Sequence, residues 1–447
     1  MKKRLFSAIL IVMVLSASFL SPSLAAPGSF TPPHNANAVV LADLYTGDII
    51  YSHNMHTPIH PASTTKIMTA LLAVEALDRG QVNINDLLTT SHQALADMVP
   101  LGSNIELQVG EEMAFESLLF AVMLVSANDA SNVIAEYLGG GSIDNFVQMM
   151  NDRARQLGAQ NTNFTNPHGL TDDNHLTTAY DMFRITQHAL TNSRFVELFS
   201  DIERAHPATN MRPAGIFRTT NLLTTPDSPF YNPYVYGVRT GFTSVAGFCF
   251  VSTATRGDIS LLGVVMGVHT PGERDLAAEF GTTSNIYNWA FDNLSYREIL
   301  PQNTEIERIP ILLGDGAETI GLRPQHSITA LLHTDTEIGD NFRREVVVYS
   351  ELAGEDLEAP VAMGDVLGSI TLFYGDRQFG PIALVADQTV HLSRVSYMLS
   401  ELGSTFGNLW VQIIIAIFVL LFVFYIVYLV RHSIQKRKRR RARLNRK

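Results

Sequence analysis

From Ile67 to Leu77 the chain reads Ile-Met-Thr-Ala-Leu-Leu-Ala-Val-Glu-Ala-Leu, a run of good helix formers with Pro61 upstream and Gly80 beyond it. That pattern predicts a buried helix with Ser63 near its N-terminus. A second apolar stretch, Phe115 to Val125, precedes a helical pattern from Ala130 to Leu138 that is closed by Gly139-Gly140-Gly141, which sets Ser126-Ala127-Asn128 in a turn between helices. Arg239-Thr240-Gly241 lies between two β-like segments, Val235 to Val238 and Phe242 to Val251. Past Leu300 the pattern changes to short alternating runs such as Arg344 to Tyr349 and Ser369 to Tyr374, separated by Gly-rich turns, and these predict a small all-β domain. Leu392 to Gly407 reads as a link. Leu409 to Val430 is then almost uninterrupted apolar sequence, with Gln412 its only strongly polar side chain, and at about 1.5 Å per residue it is long enough to span a bilayer.

The two ends agree on where such a chain sits. Met1-Lys2-Lys3-Arg4, an apolar segment from Leu5 to Leu20 and a small-x-small site at Ser23-Leu24-Ala25 predict a signal peptide cleaved after Ala25. Arg431 to Lys447 carries ten Lys and Arg and no acid, so the positive-inside rule keeps this tail in the cytoplasm and the body of the chain outside. Its place directly after an apolar span makes it a topology signal rather than a nucleic-acid patch. Without these two basic ends the chain has a formal charge of −24, which excludes nucleic-acid binding by the exported part. Cys249 is the only cysteine, so no intramolecular disulfide forms, and its strand-like apolar surroundings predict a small core residue.

Candidate chemistry begins with Ser63-Thr64-Thr65-Lys66. At i and i+3 on a helix the two side chains share a face, so the Lys66 amine can reach the Ser63 hydroxyl. A serine alcohol is a weak nucleophile until an adjacent base takes its proton. The helix dipole and desolvation both favour the neutral amine, the form a general base requires near pH 7. Taken alone, the same four residues would also suit an N-cap followed by a solvated lysine. Ser126 and Asn128 offer a hydroxyl and a carboxamide. Arg239 and Thr240 offer a cation and a hydroxyl suited to a carboxylate, and Gly241 permits close approach of the backbone to a ligand.

In this order the three elements resemble the S-x-x-K, S-x-N and K-T-G set of penicillin-binding proteins and serine β-lactamases. With Asn166-Pro167-His168-Gly169-Leu170, Thr178-Ala179-Tyr180-Asp181 and the run Thr240 to Cys249, the chain looks like a low-molecular-mass D-alanyl-D-alanine carboxypeptidase of the S11 peptidase type. The resemblance implies an α+β fold, an antiparallel sheet flanked by helices, over residues 35–292. A separate all-β domain at 296–391, a linker at 392–408, a transmembrane helix at 409–430 and a basic tail at 431–447 complete the expected layout. It also implies a mechanism. Ser63 attacks the bond between the last two D-alanines of a peptidoglycan stem peptide with Lys66 as base, Ser126 passes a proton to the leaving amine, and Asn128 bonds the substrate amide. Arg239 and Thr240 hold the terminal carboxylate, and the backbone N–H groups of Ser63 and Phe242 form the oxyanion hole. β-Lactam antibiotics, as mimics of that terminus, should acylate Ser63. No cofactor is implied. His168 and His175 bracket two aspartates, but their spacing matches no standard metal-ligand motif.

One departure stands out: the family usually has lysine where this chain has Arg239. Arginine keeps the charge and offers a bidentate fork, yet it does not exchange protons. Three alternatives to the carboxypeptidase therefore stay open at this point: a D,D-endopeptidase, a serine β-lactamase, and a penicillin-binding scaffold with little turnover.

Overall fold

Along the strand Ala36–Asp43 (β1), Ala38, Val40 and Ala42 enter one apolar cluster while Val39 and Leu41 enter another. A strand whose alternate side chains are buried on both sides must lie inside a layered structure. The computed structural model describes residues 31–98, 102–269 and 275–444. The expected signal peptide, 1–25, lies outside the described residues.

β1 belongs to a five-stranded antiparallel sheet with Ile49–His53 (β2), Val235–Thr243 (β3), Gly247–Arg256 (β4) and Ile259–Val268 (β5), in the order β2-β1-β5-β4-β3. All ten residues of β5 are buried. One face of the sheet packs on Leu276–Asn293 through Phe280, Ile286, Tyr287 and Ala290. The other face meets a larger core built on Lys66–Asp78 (α1), Phe115–Leu124 (α2), Asn128–Leu138 (α3), Ile143–Gln156 (α4) and Ala179–Ala189 (α5). α1 matches the helix expected from Ile67 to Leu77. It ends where Gly80 takes φ +66°, a left-handed conformation that costs glycine nothing, and donates its N–H to Leu77 O at 3.0 Å.

The chain divides into two compact units, one holding the residues up to Arg297 with Thr329–Asn341 and Tyr374–Arg377, the other holding the remainder. A second five-stranded sheet is formed by Glu307–Pro310 (β6), Thr319–Pro324 (β7), Arg343–Val348 (β8), Val366–Tyr374 (β9) and Arg377–Ala386 (β10), in the order β6-β7-β10-β9-β8. Here burial alternates. In β9 Gly368, Ile370 and Leu372 turn inward and their neighbours do not, as a half-buried strand requires.

Residues 392–408, expected as a linker, are mostly helical. Arg394–Gly407 is a helix whose N-cap Ser393 accepts from the Ser396 N–H, and Val395, Met398, Leu399, Leu402 and Phe406 recur on it at helical spacing. After Asn408 a second helix, Leu409–Leu444, continues through the apolar stretch and most of the basic tail, because Arg, Lys, Gln and Ala sustain a helix once it is started. Its segment Leu409–Arg439 is long and apolar enough to cross a membrane.

Candidate active site

The segment Ala62–Thr65 is a single 3-10 turn leading directly into α1, and Ala62 at its start is held at φ +48°. Such backbone persists for a residue with a Cβ only when its surroundings fix it. Several contacts do so. Thr64 Oγ1 donates to Pro61 O at 2.6 Å and Thr65 Oγ1 to Ala62 O at 2.8 Å. His175 accepts the Thr165 N–H on Nδ1 at 2.9 Å, so its Nε2 carries the hydrogen and donates to Thr65 Oγ1 at 2.8 Å. Burial lowers the His175 pKa to about 3 and keeps the ring neutral.

Two glycines bring the rest of the site against this turn. A Cβ on Gly169 would lie 1.9 Å from Ala62 O, and one on Gly241 would lie 2.6 Å from Ser63 N. Neither position has room for alanine. β3 is the edge strand of the sheet, and through Gly241 that edge lies directly on the Ser63 backbone.

Lys66 is fully buried, not the solvated residue its motif alone would allow. Its Nζ lies 2.5 Å from His168 O, 2.7 Å from Asn128 Oδ1 and 3.2 Å from Ser63 Oγ. Desolvation, and then the charge of Arg239, push its pKa well below the ordinary lysine value, and Asp129 only partly opposes them. A neutral amine has two hydrogens and one lone pair. A carbonyl and an amide oxygen only accept, so the two hydrogens go to His168 and Asn128 and the lone pair faces the Ser63 hydroxyl. The longest of the three contacts is thus the one that can reverse, with Ser63 donating to Lys66.

Ser126 lies between α2 and α3 as expected, with φ +64°, a left-handed conformation rare outside glycine. The Ala127 N–H reaches back to Ala121 O at 3.1 Å and the Asn128 N–H to Ser103 O at 2.7 Å. Asp129 accepts the N–H groups of Ile105, Leu107 and Ala130, tying the preceding loop to the start of α3.

Arg239 differs from expectation. Its side chain is 1% exposed, and its nitrogens serve protein acceptors: Nε donates to Ser63 O at 3.1 Å, Nη1 to Met123 O at 2.9 Å, and Nη2 to Ser126 Oγ. The fork expected to grip a carboxylate joins all three motifs. Burial lowers its pKa to about 9, which still leaves it charged at neutral pH. Thr240 is half-buried and Phe242 half-exposed, the Phe242 ring stacking on Phe248 with centroids 4.3 Å apart. Burial pushes the Cys249 thiol up to about 12, which suits a core residue and not a nucleophile.

His168, His175 and the aspartates between them do not converge, and among the described residues no group of three His, Cys, Asp or Glu is placed to hold a metal. Sequence reasoning missed what these histidines do: one supplies a carbonyl to Lys66 and the other braces the Ser63 turn.

A serine hydroxyl 3.2 Å from a buried amine, on a turn packed against a strand edge, is the equipment of a serine acyl-transfer enzyme. The family model for D-alanyl-D-alanine carboxypeptidase, Peptidase S11, matches residues 26–270, and the chain belongs to that family. It is similar to the D-alanyl-D-alanine carboxypeptidase DacF of Bacillus subtilis, with 32% identity over 83% of this chain and 90% of the relative. DacA of Haemophilus influenzae is 31% identical over 76% of this chain and 81% of its own length. Among solved structures, penicillin-binding protein 5 of Haemophilus influenzae superposes with a TM-score of 0.61 at 27% identity, covering 81% of this chain and all of that one.

Proposed function

We propose that the chain is a serine-type D-alanyl-D-alanine carboxypeptidase that removes the terminal D-alanine from peptidoglycan stem peptides. The observation that carries this reading is the buried Lys66 Nζ at 3.2 Å from Ser63 Oγ, with its two shorter contacts made to the pure acceptors His168 O and Asn128 Oδ1. Ser63 Oγ attacks the penultimate D-alanine carbonyl as Lys66 takes its proton. The oxyanion meets the backbone N–H groups of Ser63 and Phe242, donors of a kind worth about 3 to 4 kcal/mol each. Ser126, held by Arg239, gives its proton to the departing amine and is reprotonated by the Lys66 ammonium, so terminal D-alanine leaves and the Lys66 amine is neutral again. Water then attacks the acyl-enzyme with Lys66 again as base. Asn128 Oδ1 is spent on Lys66, so its NH2 faces the substrate carbonyl. The terminal carboxylate is met by the Thr240 hydroxyl, with the buried Arg239 charge behind Ser126 adding attraction. β-Lactams enter by the same attack and form a Ser63 ester.

The helix Leu409–Leu444 supports single-pass anchoring in the cytoplasmic membrane, with the basic tail inside and the catalytic unit outside. The test is D-alanine release from a soluble stem pentapeptide by the full-length protein in detergent, beside a Ser63→Ala control. Release that disappears in the control supports the reading. A folded wild type that takes up penicillin without releasing D-alanine would replace the carboxypeptidase with an endopeptidase or a scaffold, and rapid loss of the penicillin adduct would favour a β-lactamase.

A further inference from the structure

The orientation of the Lys66 lone pair depends on the His168 carbonyl, and that carbonyl is held from a direction no motif indicates. The Leu170 N–H donates to His168 Nδ1 at 3.2 Å, so Nδ1 is the unprotonated ring nitrogen and Nε2 carries the hydrogen. Nε2 donates to Asp97 Oδ2 at 3.1 Å. The ring is buried, whereas Asp97 is half-exposed on the loop that follows Thr90. The other carboxylate oxygen of Asp97 accepts Asn132 Nδ2 at 2.7 Å, and Asn132 Nδ2 also donates to Ala94 O at 2.9 Å. Asp97 is thus fixed on both oxygens, to the loop and α3 on one side and to the active-site histidine on the other. The hydrogen bond from His168 holds its carboxyl below the usual carboxylate range, so it is ionised at neutral pH.

We propose that Asp97 is a positioning residue for the general base: by fixing the His168 ring it sets the His168 carbonyl against which Lys66 Nζ rests. The proposal rests on the reading of Lys66 as the base that activates Ser63. Loss of the carboxylate leaves a buried N–H without its acceptor, frees the His168 backbone to shift, and lets the amine turn its lone pair away from Ser63. The consequence for protonation has a definite sign. The charged groups and imidazoles around Lys66 are Arg239 on β3, Asp129 on α3, and His168 and His175 on the segment before α5. His168 itself faces Asp97, Lys66 and His175. Losing a well-aimed acceptor, the His168 carbonyl, takes away a contact that favours the ammonium form, so the acid limb of acylation moves to lower pH while the plateau falls.

The experiment compares full-length wild type, Asp97→Ala and Asp97→Asn by the rate of acylation with a fluorescent penicillin across the acid limb and plateau. The kcat and KM for D-alanine release are measured alongside. Asp97→Ala is expected to lower the plateau about tenfold, the size of one lost hydrogen bond in the reacting geometry, to displace the limb to lower pH and to leave KM unchanged. Asp97→Asn retains an oxygen for His168 but sets its NH2 against that of Asn132, so it should fall between the two. It also keeps the test decisive if the alanine variant does not fold. A profile superimposable on wild type overturns the proposal. So does a raised KM with kcat intact, which would make Asp97 a substrate contact, or a lower plateau with an unmoved limb, which would make it merely structural. A wild type that acylates but releases no D-alanine sinks the carboxypeptidase reading alone, and the acylation profiles then still support or overturn the role of Asp97.

Discussion

The two five-stranded sheets spend their residues differently. β5 of the first is buried on both faces, whereas β9 of the second alternates between core and solvent. Among the described residues, the buried ionisable side chains, including Lys66, Glu111, Asp129, His168, His175 and Arg239, all belong to the unit with the first sheet. Burying such groups is costly unless each is neutralised or fully partnered. Some are structural, as Glu111 is in its ion pair with Arg212. Lys66 and Arg239 are different: burial first, and then the neighbouring guanidinium, push the lysine pKa well below its ordinary value. A fold that pays for such a pair at one place and nowhere in its second sheet marks where its chemistry lies.

Substitutions that break this contrast should rank by how directly they touch the Ser63 turn. Ser63→Ala should reduce D-alanine release by at least about 10³-fold and abolish the penicillin adduct while thermal melting stays near wild type. Gly241→Ala forces a Cβ to 2.6 Å from Ser63 N and should cost on the order of 10²-fold in acylation rate, read with the same fluorescent penicillin. Arg239→Lys replaces a three-way tie by a single ammonium and should lower kcat about tenfold with KM little changed. A large rise in KM instead would show that the guanidinium reaches substrate.

The pH dependence sharpens the comparison further. Because the Lys66 pKa is depressed, acylation should be lost as pH falls through that lowered value and should persist well below the ordinary lysine range. His175 gives the matching effect on stability. With a folded value of about 3 against about 6.5 unfolded, the unfolded chain binds the extra proton between these limits, so stability should decline as pH falls from about 6.5 toward 3. Chemical denaturation of wild type and His175→Asn at pH 7 and pH 5 checks it, the variant showing the flatter dependence. At the small end, Glu345→Ala on the exposed side of β8 should leave activity unchanged and shift stability by no more than about 0.5 kcal/mol.

Much of this was legible in the sequence because it is local. The Ser63 to Lys66 spacing, the turn at Ser126 and the β-like flanks of Arg239 are all short-range patterns, and the structure places them together. What escaped was set by tertiary contact. Arg239 reads as a carboxylate fork, and nothing local shows the acceptors it also serves on Ser63, Met123 and Ser126. Histidines 168 and 175 have no metal-ligand spacing, and what they do depends on partners 71 and 110 residues away that no local pattern shows. The helix Arg394–Gly407 carried its own signal in the spacing of Val395, Met398, Leu399, Leu402 and Phe406, overlooked beside the stronger apolar run after it.

The contact between Arg239 and Ser63 also has a bearing on how the protein is made, since it closes a separation of 176 residues. Ser63 leaves the ribosome early, but the strand edge that completes its surroundings follows only after just over half of the chain has been synthesised. Closing so long a loop is slow and must precede its reward. No growing chain shorter than about Phe242 holds an assembled site, and the hydrolase stays silent through most of its own synthesis.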